Sequence, residues 1–206
     1  EIASCLVGSE MCIRDRRMDY RVSSDADTVL NLTNHTYFNL DGEGDVLNQK
    51  LKLYASRYLE GNNETCPTGN ILPVAGTPMD FRAGKPIGRD IDTGFSQTTM
   101  VGGGYDHCFV IDRGRGASQS LCAWASSDKT GISMKVYTTQ PGVQLYTGNW
   151  LGDEHAKDDA NYGWGAGFAL EAEMYPDTPH QPLFPQGIVG PGHPYSNVIE
   201  YHFMRH

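Results

Sequence analysis

No stretch of this 206-residue chain is apolar for long enough to cross a bilayer as a helix: runs such as Val29-Leu30 and Ile188-Val189 fall far short of the roughly 20 residues a span requires. Basic charge is scarce as well. Sixteen Lys and Arg stand against 25 Asp and Glu, for a formal net charge of -9, so the surface repels polyanions and has no basic cluster to displace counterions from a phosphate backbone. Membrane and nucleic acid are therefore not expected partners. Helical patterning is missing too, since no apolar periodicity sustains three turns, whereas 24 glycines and 11 prolines punctuate short alternating segments. The expected class is all-β. A single domain is expected because 206 residues suit one core and no repeat or linker divides them.

Cysteine is sparse and without pattern. Cys5, Cys12, Cys66, Cys108 and Cys122 show no two-residue spacing, which argues against a zinc ribbon or a redox pair. An odd, scattered set suggests reduced thiols and a cytoplasmic address. The seven histidines, at 35, 107, 155, 180, 193, 202 and 206, fall in no metal-binding motif. No Gly-x-Ser-x-Gly elbow, phosphate-cradling glycine loop or dinucleotide fingerprint is present. What remains is proton transfer by histidine and carboxylate, which needs no cofactor.

Residues 6–16, Leu-Val-Gly-Ser-Glu-Met-Cys-Ile-Arg-Asp-Arg, have neither strand alternation, helical stripe nor signal-peptide order. They resemble the translation of a transposon-based sequencing adapter. Residues 1–17 are accordingly expected to be a non-native or disordered tail, with the folded part beginning at about Met18. From there Met18, Tyr20 and Val22 alternate with Asp19, Arg21 and Ser23, the period of a half-buried strand. A second strand is expected over 28–33, leaving His35 at a strand end. Further strands are predicted at 50–55, 106–111, 120–125, 132–138, 143–147, 168–173 and 197–203. Residues 61–104 and 148–167 carry no strand pattern and are candidate walls of a site.

Asn31-Leu32-Thr33-Asn34-His35-Thr36-Tyr37-Phe38-Asn39-Leu40 resembles the NLTNHxYFNL signature of aldose 1-epimerases, also called galactose mutarotases. Other segments agree in the family's order: Gly104-Tyr105-Asp106-His107, then Thr139-Gln140-Pro141-Gly142-Val143-Gln144-Leu145-Tyr146-Thr147-Gly148-Asn149, then Phe168-Ala169-Leu170-Glu171-Ala172-Glu173. The resemblance covers nearly everything from Met18 onward. It implies a galactose-mutarotase-like β-sandwich, incomplete because the family's N-terminal portion is missing, with an aldohexose bound on one sheet.

By the same resemblance His35 is the general acid and Glu171 the general base, and Asp106 and Gln144 hold sugar hydroxyls. Spacing alone does not choose between Glu171 and Glu173, which share a strand face; the motif selects Glu171. Tyr37 could pack against the sugar ring or belong to the core. His107, adjacent to Asp106, points the other way in a strand and reads as structural. Trp150 and Trp164 could form a sugar-stacking wall.

Two family elements, an Asn-Arg pair and a second active-site histidine in an Asn-x-Leu-His-Gly-Gly context, do not occur in the chain. A fragment with open sheet edges and an incomplete site is expected to be poorly soluble and nearly inactive alone. The alternatives are a non-catalytic carbohydrate-binding sandwich and a hexose-6-phosphate epimerase. The second would need an arginine cluster that the scattered Arg57, Arg82 and Arg89 do not supply.

Overall fold

The computed structural model describes residues 2–12, 14–114, 117–152, 156 and 160–206, with side chains from residue 14 onward. Period-two alternation makes the strands and decides which face of each is buried. One sheet has seven strands. From one edge to the other they are β1 (Ile2–Cys12), β2 (Asp15–Ser24), β14 (Tyr195–Arg205), β10 (Ile132–Thr138), β9 (Ser120–Ser126), β4 (Lys50–Leu53) and β7 (Lys85–Pro86). The other has five, in the order β12 (Ala169–Glu173), β11 (Gly142–Tyr146), β8 (Asp106–Ile111), β5 (Ala55–Gly61) and β6 (Pro67–Pro73). Neighbouring strands are antiparallel in both sheets. The two-residue strands β3 (Thr28–Val29) and β13 (Ile188–Val189) pair separately.

The registers line up the apolar positions across each sheet. Leu53, Ala123, Val136 and Tyr201 lie side by side in the first, as do Leu51, Ala125, Met134 and Phe203. In the second, Ala172, Val143, Phe109 and Tyr58 do the same. Facing each other, the two sets make one core, in which Leu51, Met134, Phe109 and Leu145 are fully buried. Each such side chain contributes about 1.5 to 3 kcal/mol by leaving water. The opposite face of the five-stranded sheet carries the alternate residues, apolar at Leu59, Cys108 and Val110 under Tyr175 and Phe184, and polar at Gln144, Glu171 and Glu173.

Several elements depart from the sequence pattern. The backbone of Ile2–Cys12, within the stretch expected to be a non-native or disordered tail, runs as an edge strand antiparallel to β2; backbone pairing onto an edge needs no alternation of side chains. The strand expected over 28–33 stops at Val29, and residues 30–37 continue as an irregular segment. Within 61–104, β6 and a short helix α1 (Ser96–Met100) are present. Pro67 and Pro73 hid β6 from the pattern, but at a sheet edge they deprive no neighbouring strand of a ladder bond. Among the described residues no helix is long and apolar enough to cross a membrane.

Candidate active site

Because Val143, Leu145, Leu170 and Ala172 face the core, their alternates Gln144, Tyr146, Glu171 and Glu173 stand on the outer face of the five-stranded sheet. Asp106 lies opposite Tyr146 and so joins them, while His107 lies opposite Leu145 and points inward. Residues 30–38 run along the outer side of β12. Asn34 Oδ1 accepts from the Thr36 backbone N–H at 3.2 Å and from Thr36 Oγ1 at 2.5 Å, a local bend of the kind Asn favours. The bend turns the His35 ring over the sheet.

His35 Nε2 comes to 3.4 Å from Glu171 Oε1, the His35 side chain 47 % exposed and that of Glu171 13 %. His35 therefore sits not at a strand end but in the irregular segment beside β12. Burial raises the Glu171 pKa, opposed by the positive charge of His35 and assisted by Asp106. A carboxylate held in that way is a stronger base than one in water. Asp106 is likewise raised by burial, against the pull of the Gln144 hydrogen bond and of His35. Gln144 Nε2 donates to Asp106 Oδ1 at 2.7 Å, and Gln144 Oε1 is buried without a partner.

Tyr37 is exposed rather than part of the core. Its ring centroid lies 4.9 Å from that of His35 and 6.1 Å from that of Tyr146, so two tyrosine rings border the His35–Glu171 pair. Beside Tyr37 opens a hollow of about 740 Å³ whose lining includes Glu43, Asp45, Tyr162 and Trp164. Trp164 donates from Nε1 to the Gly102 carbonyl at 3.2 Å. Trp150 is exposed and does not line the hollow.

The turn that presents Asp106 is fixed by close packing. A Cβ at Gly104 would lie 1.8 Å from Asn149 Oδ1, so only glycine fits where the Asn149 amide donates to the carbonyls of Val101 and Tyr105 at 2.8 and 3.0 Å. His107 supports the same turn from inside. Its Nδ1 accepts from the Asp106 backbone N–H at 3.3 Å and its Nε2 lies 3.1 Å from Gln97 Oε1, which defines a neutral ring protonated at Nε2. Burial pushes its pKa down to about 4.

Asn31 was not singled out by the sequence, and Glu173 only as the residue that spacing could not tell from Glu171. The Asn31 side chain bonds to both Met174 backbone groups and to Glu173. Burial, then the charge of Glu171, push the Glu173 pKa up to about 8. Tyr146 was also passed over, although it stands two positions beyond Gln144 on the same strand face. Among the described residues no group of three or more His, Cys, Asp or Glu could hold a metal ion, and His155 lies outside them. Nor is an arginine cluster gathered here: Arg82 pairs with Asp80 and Arg89 with Asp90.

These features define a β-sandwich with an imidazole and a carboxylate in contact on one sheet face, flanked by a carboxyl–amide pair and aromatic rings. The chain belongs to the aldose 1-epimerase family, whose model it matches over residues 14–202. It is 39% identical over 189 residues to the aldose 1-epimerase of Escherichia coli strain K12, covering 90% of this chain and 54% of that protein. It is 35% identical over 189 residues to the galactose mutarotase of Rattus norvegicus, covering 90% and 53%. A solved GalM/aldose epimerase homologue from C. elegans superimposes with a TM-score of 0.84 at 28% identity, covering 93% of this chain and 56% of that one. The chain spans about half the length of the curated relatives it matches.

Proposed function

We propose that the protein containing this chain interconverts the α and β anomers of an aldohexose such as glucose or galactose. One observation carries the reading: His35 and Glu171 are 3.4 Å apart. The anomeric and ring oxygens of a pyranose are bonded to the same carbon, so an acid and a base that serve both must converge. Glu171 takes the proton of the anomeric hydroxyl while His35 protonates the ring oxygen, and the C1–O5 bond breaks to give the open-chain aldehyde. Rotation about C1–C2 and the reverse transfers close the ring on its other face.

Asp106 and Gln144 hold hydroxyls while this happens, and Tyr37 offers its ring to the sugar. The names of the relatives in Escherichia coli and Rattus norvegicus support the assignment. The net charge of -9 suits a neutral sugar better than nucleic acid. The free thiols of Cys66, Cys108 and Cys122 accord with a cytoplasmic address.

The test is polarimetry of freshly dissolved α-glucose and α-galactose with the full reading frame that contains this chain, alongside Glu171→Gln. Turnover lost with sugar binding kept supports the enzyme. Sugar binding without turnover in the unmodified protein would leave a binding module instead. The same assay on the 206-residue chain checks the expectation that it is nearly inactive alone.

A further inference from the structure

If His35 and Glu171 exchange protons with a sugar, their separation depends on how residues 31–38 lie against β12. The contacts between the two run in antiparallel order. Phe38 and Phe168 exchange both backbone hydrogen bonds, at 2.8 and 2.9 Å. Thr33 Oγ1 donates to the Ala172 carbonyl at 3.0 Å. Asn31 accepts from the Met174 N–H at 2.9 Å and donates through Nδ2 to the Met174 carbonyl and to Glu173 Oε2, both at 3.1 Å. His35 falls between these fastenings, opposite Glu171.

At the Phe38 end the fastening is backbone to backbone and indifferent to side-chain identity. At the Asn31 end the contacts to β12 are made by side chains, so a substitution at Asn31 removes three of them at once and loosens the segment. We propose that Asn31 and Glu173 form a positioning clip that holds the His35 segment in register with the strand carrying Glu171. The inference rests on the mutarotase reading and extends it to two residues that do not touch the reacting atoms.

The chemistry of Glu173 fits that role. It shares a face with Glu171, and its charge is felt also by the Cys108 thiol on β8 and the Tyr195 hydroxyl on β14, while the charge of Asp106 on β8 acts back on it. With a pKa of about 8 it keeps its proton at neutral pH. It then offers Asn31 an acceptor oxygen without placing a second negative charge beside the base. An ionised Glu173 would set a second carboxylate charge on the face that carries Glu171, and the two charges oppose each other.

The experiment uses the full reading frame with Asn31→Ala, Glu173→Ala and Glu173→Gln, folding being checked by thermal denaturation. Polarimetry gives kcat and KM, and crystal structures give the His35 Nε2 to Glu171 Oε1 distance. N31A and E173A are expected to lower kcat by on the order of ten- to a hundredfold with KM little changed, as misplacement of a proton-transfer group does. E173Q keeps the neutral acceptor and is expected to restore most of that kcat. In the structures the 3.4 Å separation is expected to widen in N31A and E173A and to persist in E173Q. Unchanged kcat and distance in N31A and E173A, or an E173Q no better than E173A, would overturn the clip. If the unmodified protein shows no turnover, the mutarotase reading fails on its own and the distances alone decide the clip.

Discussion

Replacing Glu173 by Gln separates the electrical cost of this carboxyl from its packing, and the dependence of stability on pH reads the difference. Burial first, then the charge of Glu171, lift its pKa from 4.5 to about 8, against the Asn31 hydrogen bond. Below pH 4.5 the carboxyl is protonated whether the chain is folded or not, and its contribution to stability is fully present. Between pH 4.5 and 8 the unfolded chain releases a proton that the folded chain keeps, so stability falls by about 1.4 kcal/mol for each step of one in pH. Above that window both states are ionised and the accumulated loss is on the order of 5 kcal/mol. Gln fills the same space and has no such loss.

Urea unfolding followed by tryptophan fluorescence, at a series of pH values, gives the unfolding free energy of each protein. E173Q should gain on the unmodified protein steadily as pH rises from 4.5 to 8 and hold a constant lead above. His107 acts in the opposite direction. Burial lowers its pKa from 6.5 to about 4, so its contribution is present above pH 6.5 and lost as pH falls through that window. It is common to both proteins and cancels in the difference. A difference that stays flat across the window, or slopes the other way, would refute the claim that the sheet face withholds water from Glu173.

Glu171→Gln should reduce kcat by about a hundred- to ten-thousandfold while leaving the fold intact; a loss of less than about tenfold by polarimetry would show that another group takes the proton. Gln144→Ala removes the 2.7 Å donor to Asp106 and an unpartnered acceptor from the same face. KM should rise, by an amount equivalent to about 1 to 3 kcal/mol, and an unchanged KM would place the sugar elsewhere. Lys85 has a side chain 1 % exposed, paired with Asp90 at 2.6 Å and set over the Phe81 ring at 4.2 Å. Lys85→Ala should lower stability in chemical denaturation by about 1.5 to 3 kcal/mol, the charged hydrogen bond being lost while Asp90 keeps Arg89 as a partner, and Lys85→Met less, because its stem still covers the ring.

What the sequence disclosed and what it withheld differ by the range of the interaction that decides each feature. The strands over 106–111 and 132–138 were legible at the residues where β8 and β10 lie, because Phe109, Ile111, Met134 and Val136 alternate toward one core and burial enforces the period. β6 was not legible, since its pairing with β5 is set by tertiary contact while Pro67, Gly69 and Pro73 argue locally for a loop. β1 failed for the related reason that an edge strand is held through its backbone. In the site, the inward aim of His107 followed from its adjacency to Asp106, which alternation fixes. The preference for Glu171 over Glu173 did not, because two residues on one strand face are equivalent until something is seen to stand opposite one of them.

What stands opposite is the segment 31–38, and its arrangement bears on how an edge strand can hold the Glu171 carboxylate against an imidazole at all. Among the described residues no strand lies on the outer side of β12. An open edge invites pairing with foreign chains and lets its own end fray. Here the edge is closed at Phe168 by a backbone pair and at Ala172 and Met174 by the side chains of Thr33 and Asn31. Asn197 also donates to the carbonyls of Leu32 and Ala172, at 3.1 and 3.4 Å, which joins both sides of the seam to β14. A regular strand in this place would cover the edge equally well, but its side chains would alternate to the two sheet faces. An irregular segment can turn at Asn34 and lay an imidazole over the face that carries the carboxylate. The irregularity that hid residues 30–37 from strand prediction is thus what allows imidazole and carboxylate to meet.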